Sequence, residues 1–280
     1  MNDVLLQFAH ISDTHLIMPG QQRDYSDIDP EWADYARQIL ALPYTALEAT
    51  ERLVAEINAL PVHLDFVLHT GDMAGQLTSP EDYAYICSVL SGIHCPVYYV
   101  PGNHDVGEAF QRVLLGREGV YDHAFELNGV QIACVDSNGT HPAHSGWLDE
   151  AQLAWLEQIC TAPDDRPLIV ALHHHPIPLG VSWMDEVGLL NGKAVHQVLC
   201  KARHRLRGVF YGHVHQGIDL LRDDVLYSSA ASAWCQFAAW PGVNRAALDT
   251  TAQPGFSLVT ITREATIVRR HSYPVQMSSG

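Results

Sequence analysis

Apolar residues in this chain gather in short runs that stop abruptly at polar clusters. Residues 4–11 (VLLQFAHI) are apolar enough for a buried strand and end in Ser12-Asp13-Thr14-His15. Runs at 65–70, 96–100, 130–135, 167–172 and 206–211 repeat the theme. They end in Gly71-Asp72, Gly102-Asn103-His104-Asp105, Asp136, His173-His174-His175-Pro176 and Gly212-His213-Val214-His215. Between them the period changes. Residues 44–60 place Leu47, Leu53, Val54 and Ile57 on one helical side. Residues 80–90 start a helix with Pro80 in its first turn. Residues 31–40, 107–115, 149–159 and 193–203 also read as helices, the third with Leu153, Leu156 and Ile159 along one face. Asn128-Gly129 between 124–127 and 130–135 predicts a hairpin turn. Residues 225–229 extend a sheet, and 256–261 with 265–270 form a closing hairpin. Strands alternating with helices predict an α/β fold.

With no internal repeat and no linker-like boundary, 1–280 is read as a single domain. Within it, 17–43 is a long polar excursion of the kind that forms lids, and 230–280 is a C-terminal cap and hairpin region. Residues 177–192 are read as a loop, and the short polar tail from 274 onward is expected to fray.

Composition narrows the function classes. The chain is 47% hydrophobic and carries a formal net charge of −16, which disfavours a nucleic-acid polymer or an anionic membrane as partner. A bound metal pair could still make one cleft locally positive. The 17 histidines outnumber all 16 lysines and arginines, and histidine is a common metal ligand and acid/base group. Six cysteines show no C-x-x-C spacing. They read as mostly reduced core residues of a cytoplasmic protein, with a zinc–thiolate site as the alternative. The N-terminus shows no secretory signal pattern, and no apolar run reaches the roughly 18 residues of a membrane helix.

Five strand ends carry metal-competent residues: Asp13 and His15; Asp72; Asn103 and His104; His173; His213 and His215. Asp13 and His15, two apart at a strand edge, are expected on one side of the chain and so within reach of one ion. Ligand sites in open α/β sheets lie beyond the carboxyl ends of strands. These clusters, in this order, resemble the calcineurin-like metallophosphoesterase pattern D-x-H, G-D, G-N-H-D, H and G-H-x-H, which is complete over residues 10–215. The stretch His173 to Gly180, with Ser182-Trp183-Met184-Asp185 after it, is similar to the bacterial cyclic-nucleotide and glycerophosphodiester phosphodiesterases.

The resemblance implies a four-layer α-β-β-α sandwich of two mixed sheets with helices on the outer faces. It implies two metal ions, one held by Asp13, His15, Asp72 and His215 and the other by Asp72, Asn103, His173 and His213, with Asp72 as bridge. The O/N donor set suits Fe, Mn, Co or Zn. A water between two such ions loses a proton near neutral pH and attacks phosphorus in line. In the related purple acid phosphatases a tyrosine stands three residues after the bridging aspartate. Gly75 occupies that position here, so no tyrosinate–iron chromophore is expected. With Asn103 as ligand, His104 is free to face substrate and assist the leaving group. Asp105 either orients His104 or caps a helix before Val106. His173 is the expected ligand of the triple His; His174 and His175 remain open between supporting, substrate-facing and packed roles.

Substrate-binding candidates are His174, Trp183, Asp185 and Tyr25, with Asn191 beside them. Trp183 would stack on a base or pack against its own loop. The expected function is hydrolysis of a small phosphodiester, a 3′,5′-cyclic nucleotide first and a glycerophosphodiester second. A phosphomonoesterase and a non-catalytic metal-binding or scaffold protein are the rivals. A homodimer through 230–255 is expected from the resemblance, with a loop over the cleft as the other reading of that stretch.

Overall fold

The computed structural model describes residues 4–23, 25, 32–75, 79–105, 107–116, 118–139 and 144–275. Most acidic residues of the 17–43 excursion, the first residue of the expected 31–40 helix, Val106 and the end of the tail lie outside the described residues.

The strands are β1 (Val4–Ile11), β2 (Phe66–His69), β3 (Val97–Tyr99), β4 (His123–Leu127), β5 (Val130–Cys134), β6 (Leu168–Ala171), β7 (Leu206–Tyr211), β8 (Asp219–Arg222), β9 (Val225–Ser229), β10 (Gly255–Thr262) and β11 (Thr266–Ser272). The helices are α1 (Ala33–Leu40), α2 (Ala46–Asn58), α3 (Pro80–Leu90), α4 (Gly107–Phe110), α5 (Glu150–Thr161), α6 (Ser182–Glu186) and α7 (Gly192–Leu199). Capping boxes at Thr45, Ser79 and Asp149 start α2, α3 and α5, each satisfying backbone N–H groups that a helix start leaves free. At Asn128 and Gly129 φ is +50° and +76°, the two left-handed residues that a tight hairpin turn between β4 and β5 requires.

Two mixed sheets result, ordered β11-β10-β1-β2-β3 and β4-β5-β6-β7-β9-β8. Their centres are parallel: β1-β2-β3 in one, β5-β6-β7-β9 in the other. Parallel strands covered on both faces need continuous apolar runs, and every residue of β2 and β6 is buried. The sheets pack face to face. Phe8 stacks on Phe66 at 4.8 Å and meets Phe210 of the opposite sheet edge-on at 5.3 Å. Such pairs contribute about 0.5–1.5 kcal/mol each beyond their area burial. Leu53, Ile57, Ile86 and Leu90 of α2 and α3 join the core of the first sheet. Leu156, Val195 and Leu199 of α5 and α7 cover the second. The expected four layers are therefore present.

Two local expectations change, and one strand is added. The 177–192 segment contains α6. The expected 107–115 helix widens into a π turn over Gln111–Leu115. The exposed edge strand β8, whose Asp-Leu-Leu-Arg sequence carries no burial signal, completes the second sheet.

Because the parallel strands of both sheets point the same way, β1, β2, β3, β5, β6 and β7 deliver their following loops to one rim, where all the polar clusters meet.

Candidate metal centre

The loops at this rim are held in costly backbone shapes. Asp13, His15, Asp72, His213 and His215 all have φ between +45° and +68°. A side chain in that region costs on the order of 1–3 kcal/mol and persists only where surroundings enforce it. Backbone bonds continue the β1–β2 pairing past the strand ends: Asp13 N–H donates to the Gly71 carbonyl at 2.9 Å and His15 N–H to that of Asp72 at 3.0 Å. The expectation that strand pleating brings Asp13 and His15 together is corrected. The strand ends at Ile11, and two left-handed residues turn both side chains inward. Gly102 has an ordinary φ, so its role is close approach: any Cβ there would collide with the Asp72 carboxylate.

Two groups of donor atoms share one oxygen. His215 Nε2 lies 3.3 Å from Asp13 Oδ1, and His15 Nε2 lies 3.0 Å from His215 Nε2 and 3.7 Å from Asp72 Oδ2. On the other side, His173 Nε2 is 3.4 Å from the same Asp72 Oδ2 and 3.1 Å from Asn103 Oδ1. His213 Nδ1 is 3.0 Å from that Asn103 oxygen and 3.2 Å from His173 Nε2. Asn103 is half-buried; the other six residues are buried.

The hydrogen-bond partners fix which way the rings are loaded. His215 Nδ1 donates to the Cys235 carbonyl at 2.8 Å and His173 Nδ1 to the Thr70 carbonyl at 2.7 Å. A carbonyl only accepts, so each ring turns Nε2 toward the oxygens. Asp13 Oδ1 has no hydrogen-bond donor. Lone pairs thus face lone pairs in a dry site, which is unfavourable unless a proton or a cation lies between them. Burial resists charging His173, yet the Asp72 carboxylate outweighs it and raises the ring to about 9. The converging O/N donors fit two transition-metal ions sharing the Asp72 carboxylate.

His104 sits half-buried at the mouth, its ring edge-on to His15 at 5.0 Å and its backbone N–H donating to Asp72 Oδ1 at 2.8 Å. Asp105 differs from the expected orienter. Its carboxylate is buried and accepts from the N–H groups of Met73, Ala74 and Gly102 and from the Tyr83 hydroxyl. It braces the Asp72 loop against the Gly102 loop. Burial, with the Asp72 charge, pushes it up to about 7.

Three of the substrate candidates point elsewhere. His174 is 0% exposed, with Nδ1 on the Ser137 hydroxyl at 2.8 Å. Trp183 packs edge-on against Phe237 at 5.1 Å and Trp32 at 5.8 Å, inside its own layer. Asp185 accepts from Leu179 N–H at 2.6 Å and Gly180 N–H at 3.0 Å, tying its own loop. Asn191 ties to Leu148 in the same way. Tyr25 is half-buried; burial raises its phenol while Arg23 opposes the shift.

Several residues at the rim escape sequence reading. Arg23 places its guanidinium 4.1 Å over the Trp234 ring and donates to the His15 carbonyl at 2.5 Å. Trp234 in turn lies 6.0 Å from the His15 ring, so part of the 230–255 stretch packs against the centre. Ser137 accepts from the N–H groups of His173 and His174. Only the β5–β6 register, Cys134 beside Ala171, reveals that serine as their neighbour. His144 faces the Asn103 amide at 3.2 Å, leaving that amide's oxygen for the cluster. Its φ of +76° was not signalled by any motif. At Gly75 the space a side chain would enter is closed by Ile17, the His15 carbonyl and Arg23.

Residues 6–217 match the family model of the calcineurin-like phosphoesterases. The chain is 31% identical over 208 residues to the 3′,5′-cyclic adenosine monophosphate phosphodiesterase CpdA of Pseudomonas aeruginosa, covering 74% of this chain and 73% of that protein. It is 29% identical over 217 residues to the glycerophosphodiester phosphodiesterase GpdQ of Enterobacter lignolyticus, covering 74% and 70%. In fold it is similar to a dimetal phosphatase from Danio rerio, with TM-score 0.60 at 14% identity over 99% of this chain and 100% of that one. With the motif set, the sandwich and the shared-carboxylate cluster all in agreement, the chain belongs to the calcineurin-like phosphoesterase family.

Proposed function

We propose that this protein hydrolyses a small phosphodiester at a binuclear metal centre, with a 3′,5′-cyclic nucleotide as first substrate. The observation that carries this reading is Asp72 Oδ2, which stands within 3.7 Å of His15 Nε2 and 3.4 Å of His173 Nε2. One carboxylate oxygen serves two groups of donors. Asp13, His15, Asp72 and His215 would hold one ion; Asp72, Asn103, His173 and His213 the other. Bound there, Fe, Mn, Co or Zn would supply Lewis acidity toward phosphoryl oxygens and lower the pKa of a water.

The chain's own residues do the rest. Asp72 sets the separation of the two ligand groups. His215 and His173, anchored on the Cys235 and Thr70 carbonyls, present fixed Nε2 atoms. His104, half-buried beside His15, donates a proton to the departing alkoxide or a hydrogen bond to a phosphoryl oxygen. Asp105 holds the two loops in register. Tyr25 and Arg23, in the lid-like 17–43 excursion, are the residues proposed to meet a substrate's non-reacting end; Arg23's contacts with Trp234 and the His15 carbonyl support this.

A cyclic nucleotide is favoured because the CpdA relative is named for cyclic AMP hydrolysis. The GpdQ relative, at similar coverage, supports a glycerophosphodiester as the second reading. Six free cysteines fit a reducing, cytoplasmic compartment. Among the described residues no helix is long and apolar enough to cross a membrane. Trp240, 63% exposed in the 230–255 stretch, is the anchor for a homodimer contact.

The test is a substrate panel of 3′,5′-cyclic nucleotides, glycerophosphodiesters and phosphomonoesters, run with metal content measured on the same samples. Highest kcat/KM on a cyclic nucleotide is the expected result. A preference for monoesters by tenfold or more overturns the diesterase reading.

A further inference from the structure

We infer that His196, Cys200 and Asp223 form a third, mononuclear transition-metal site of zinc type, separate from the binuclear centre. His196 lies in α7, Cys200 follows one turn later, and Asp223 sits in the turn between β8 and β9. Their ligand atoms all lie within 4.8 Å of one another. His196 Nε2 is 2.9 Å from Asp223 Oδ2 and 3.6 Å from Cys200 Sγ.

Zinc bonds of about 2.0–2.1 Å to nitrogen and 2.3 Å to sulfur in a tetrahedron set an N···S edge of about 3.6 Å and an N···O edge of about 3.3 Å. The sulfur is already at that separation. It lies beside the ring, 3.8 Å from Nδ1 as well, so ligation needs a rotation about its χ1. Cys200 itself is half-buried. The carboxylate must withdraw by a few tenths of an ångström. It is 61% exposed on a turn whose two residues, Asp223 and Asp224, both have positive φ. Arg222 Nε, 3.6 Å from the same oxygen, is the competing cation.

The arrangement is wrong for a Cys–His–Asp relay. A relay needs thiol and carboxylate on opposite ring nitrogens. Here the carboxylate takes Nε2 at 2.9 Å and the Tyr227 hydroxyl takes Nδ1 at 2.7 Å, while the sulfur stands between the two nitrogens at 3.6 and 3.8 Å. No ring nitrogen is left for the thiol as a relay would need, and a ring anchored at Nδ1 by a buried phenol with Nε2 facing a carboxylate presents Nε2 as a metal ligand does. On binding, the Cys200 thiol releases its proton to solvent and a metal–thiolate bond forms.

The site stands apart from the binuclear centre. Ser229 pairs with Tyr211, two residues before His213, and Asp223 lies six residues upstream of Ser229 along the chain. At the strand rise this places it roughly 20 Å away, at the opposite end of the sheet. A metal there pins α7 to the β8–β9 hairpin. The fourth position belongs to water.

The test loads the full-length protein with cobalt(II) in place of zinc and records the near-ultraviolet thiolate-to-cobalt charge-transfer band. The ligand set of the binuclear centre contains no thiolate, so the band reports on Cys200. It should appear in the wild type and in Cys235→Ser, which removes the thiol nearest the binuclear centre. It should vanish in Cys200→Ser, with one cobalt equivalent fewer per chain and unchanged circular dichroism. A wild type without the band, or a band that persists in Cys200→Ser, overturns the inference. Should Cys200→Ser fail to fold, Asp223→Asn at the exposed turn must shift the cobalt spectrum; an unshifted spectrum overturns it equally.

Discussion

His15 Nε2 and His215 Nε2 face each other at 3.0 Å across 200 residues of sequence. His215 gives its only other ring nitrogen to the Cys235 carbonyl, and Asp13 Oδ1 lies 3.3 Å from the same Nε2. With Nδ1 donating, the His215 Nε2 lone pair faces an unsatisfied carboxylate oxygen, which is stable only with a proton or a metal cation between them. Chelation should therefore abolish hydrolysis of an aryl phosphodiester, and manganese or cobalt should restore it. Asp72→Ala removes the oxygen both clusters share, so it should lose both ions and fall to the rate of the chelated protein. A variant that retains two ions per chain would show that Asp72 is not the bridge.

His104→Ala addresses the proton. The ring lies beside His15, with ligand atoms of His15, Asp72 and His104 all within 4.8 Å of one another, and its loop is held by its own backbone N–H on Asp72. Bound metal should be unchanged and turnover should drop by roughly 10²–10⁴-fold, the range for loss of a general acid. The loss should shrink for a substrate with a good leaving group. Elemental analysis decides the assignment: a missing ion in this variant moves His104 into the ligand set.

Ser137→Ala tests the support behind the triple histidine. One hydroxyl accepts two backbone N–H groups, at 3.2 and 3.1 Å, and bonds His174 Nδ1 at 2.8 Å. Alanine leaves three buried polar groups without this partner, at about 1–3 kcal/mol. Chemical denaturation of the metal-free protein should show that decrease. No change in midpoint would mean water replaces the hydroxyl.

Asp136→Asn gives a pH signature. Burial pushes this carboxyl up from 3.8 to about 6, with the Asn138 N–H bond opposing and Asp122 adding to the rise. Between about pH 4 and 6 the folded state holds more protons here than the unfolded chain, so stability falls as pH rises through that window. Above it the charged, half-buried carboxylate costs on the order of 1–3 kcal/mol. Asparagine keeps the acceptor for Asn138 N–H without the charge. The variant should melt higher than wild type at pH 8, and the two should converge near pH 4. A variant that melts lower at pH 8 would show that the charge is stabilised there.

The strand ends were legible because burial and chemistry write different alphabets side by side. A run such as 206–211 must be apolar to lie between layers, and Gly212-His213-Val214-His215 breaks that rule at once. The directions of individual side chains were not legible in the same way. Asp105, His174 and Trp183 all sit in motif positions, yet each turns into the protein. Asp105 meets the N–H groups of a loop 31 to 32 residues earlier, and His174 meets Ser137 through β5–β6 register. Neither partner is marked by spacing along the chain. Strand β8 was missed because an edge strand exposed to water needs no apolar pattern.

The amino-acid sequence alone determined the class of the protein. Alternating apolar runs and helical periods specify layered α/β packing, and donor residues placed after buried strands specify a metal-dependent rim, because both follow from local composition. Tertiary structure decided how the atoms meet. Positive φ at five donor residues, the closeness of Gly102 to Asp72 and the Cys235 carbonyl behind His215 arise only when two sheets pack and bring distant loops together. Those long-range contacts sustain the strained backbone and choose which nitrogen each ring presents. The separate His196, Cys200 and Asp223 cluster has the same origin, since α7 and the β8–β9 turn become neighbours only in the folded chain.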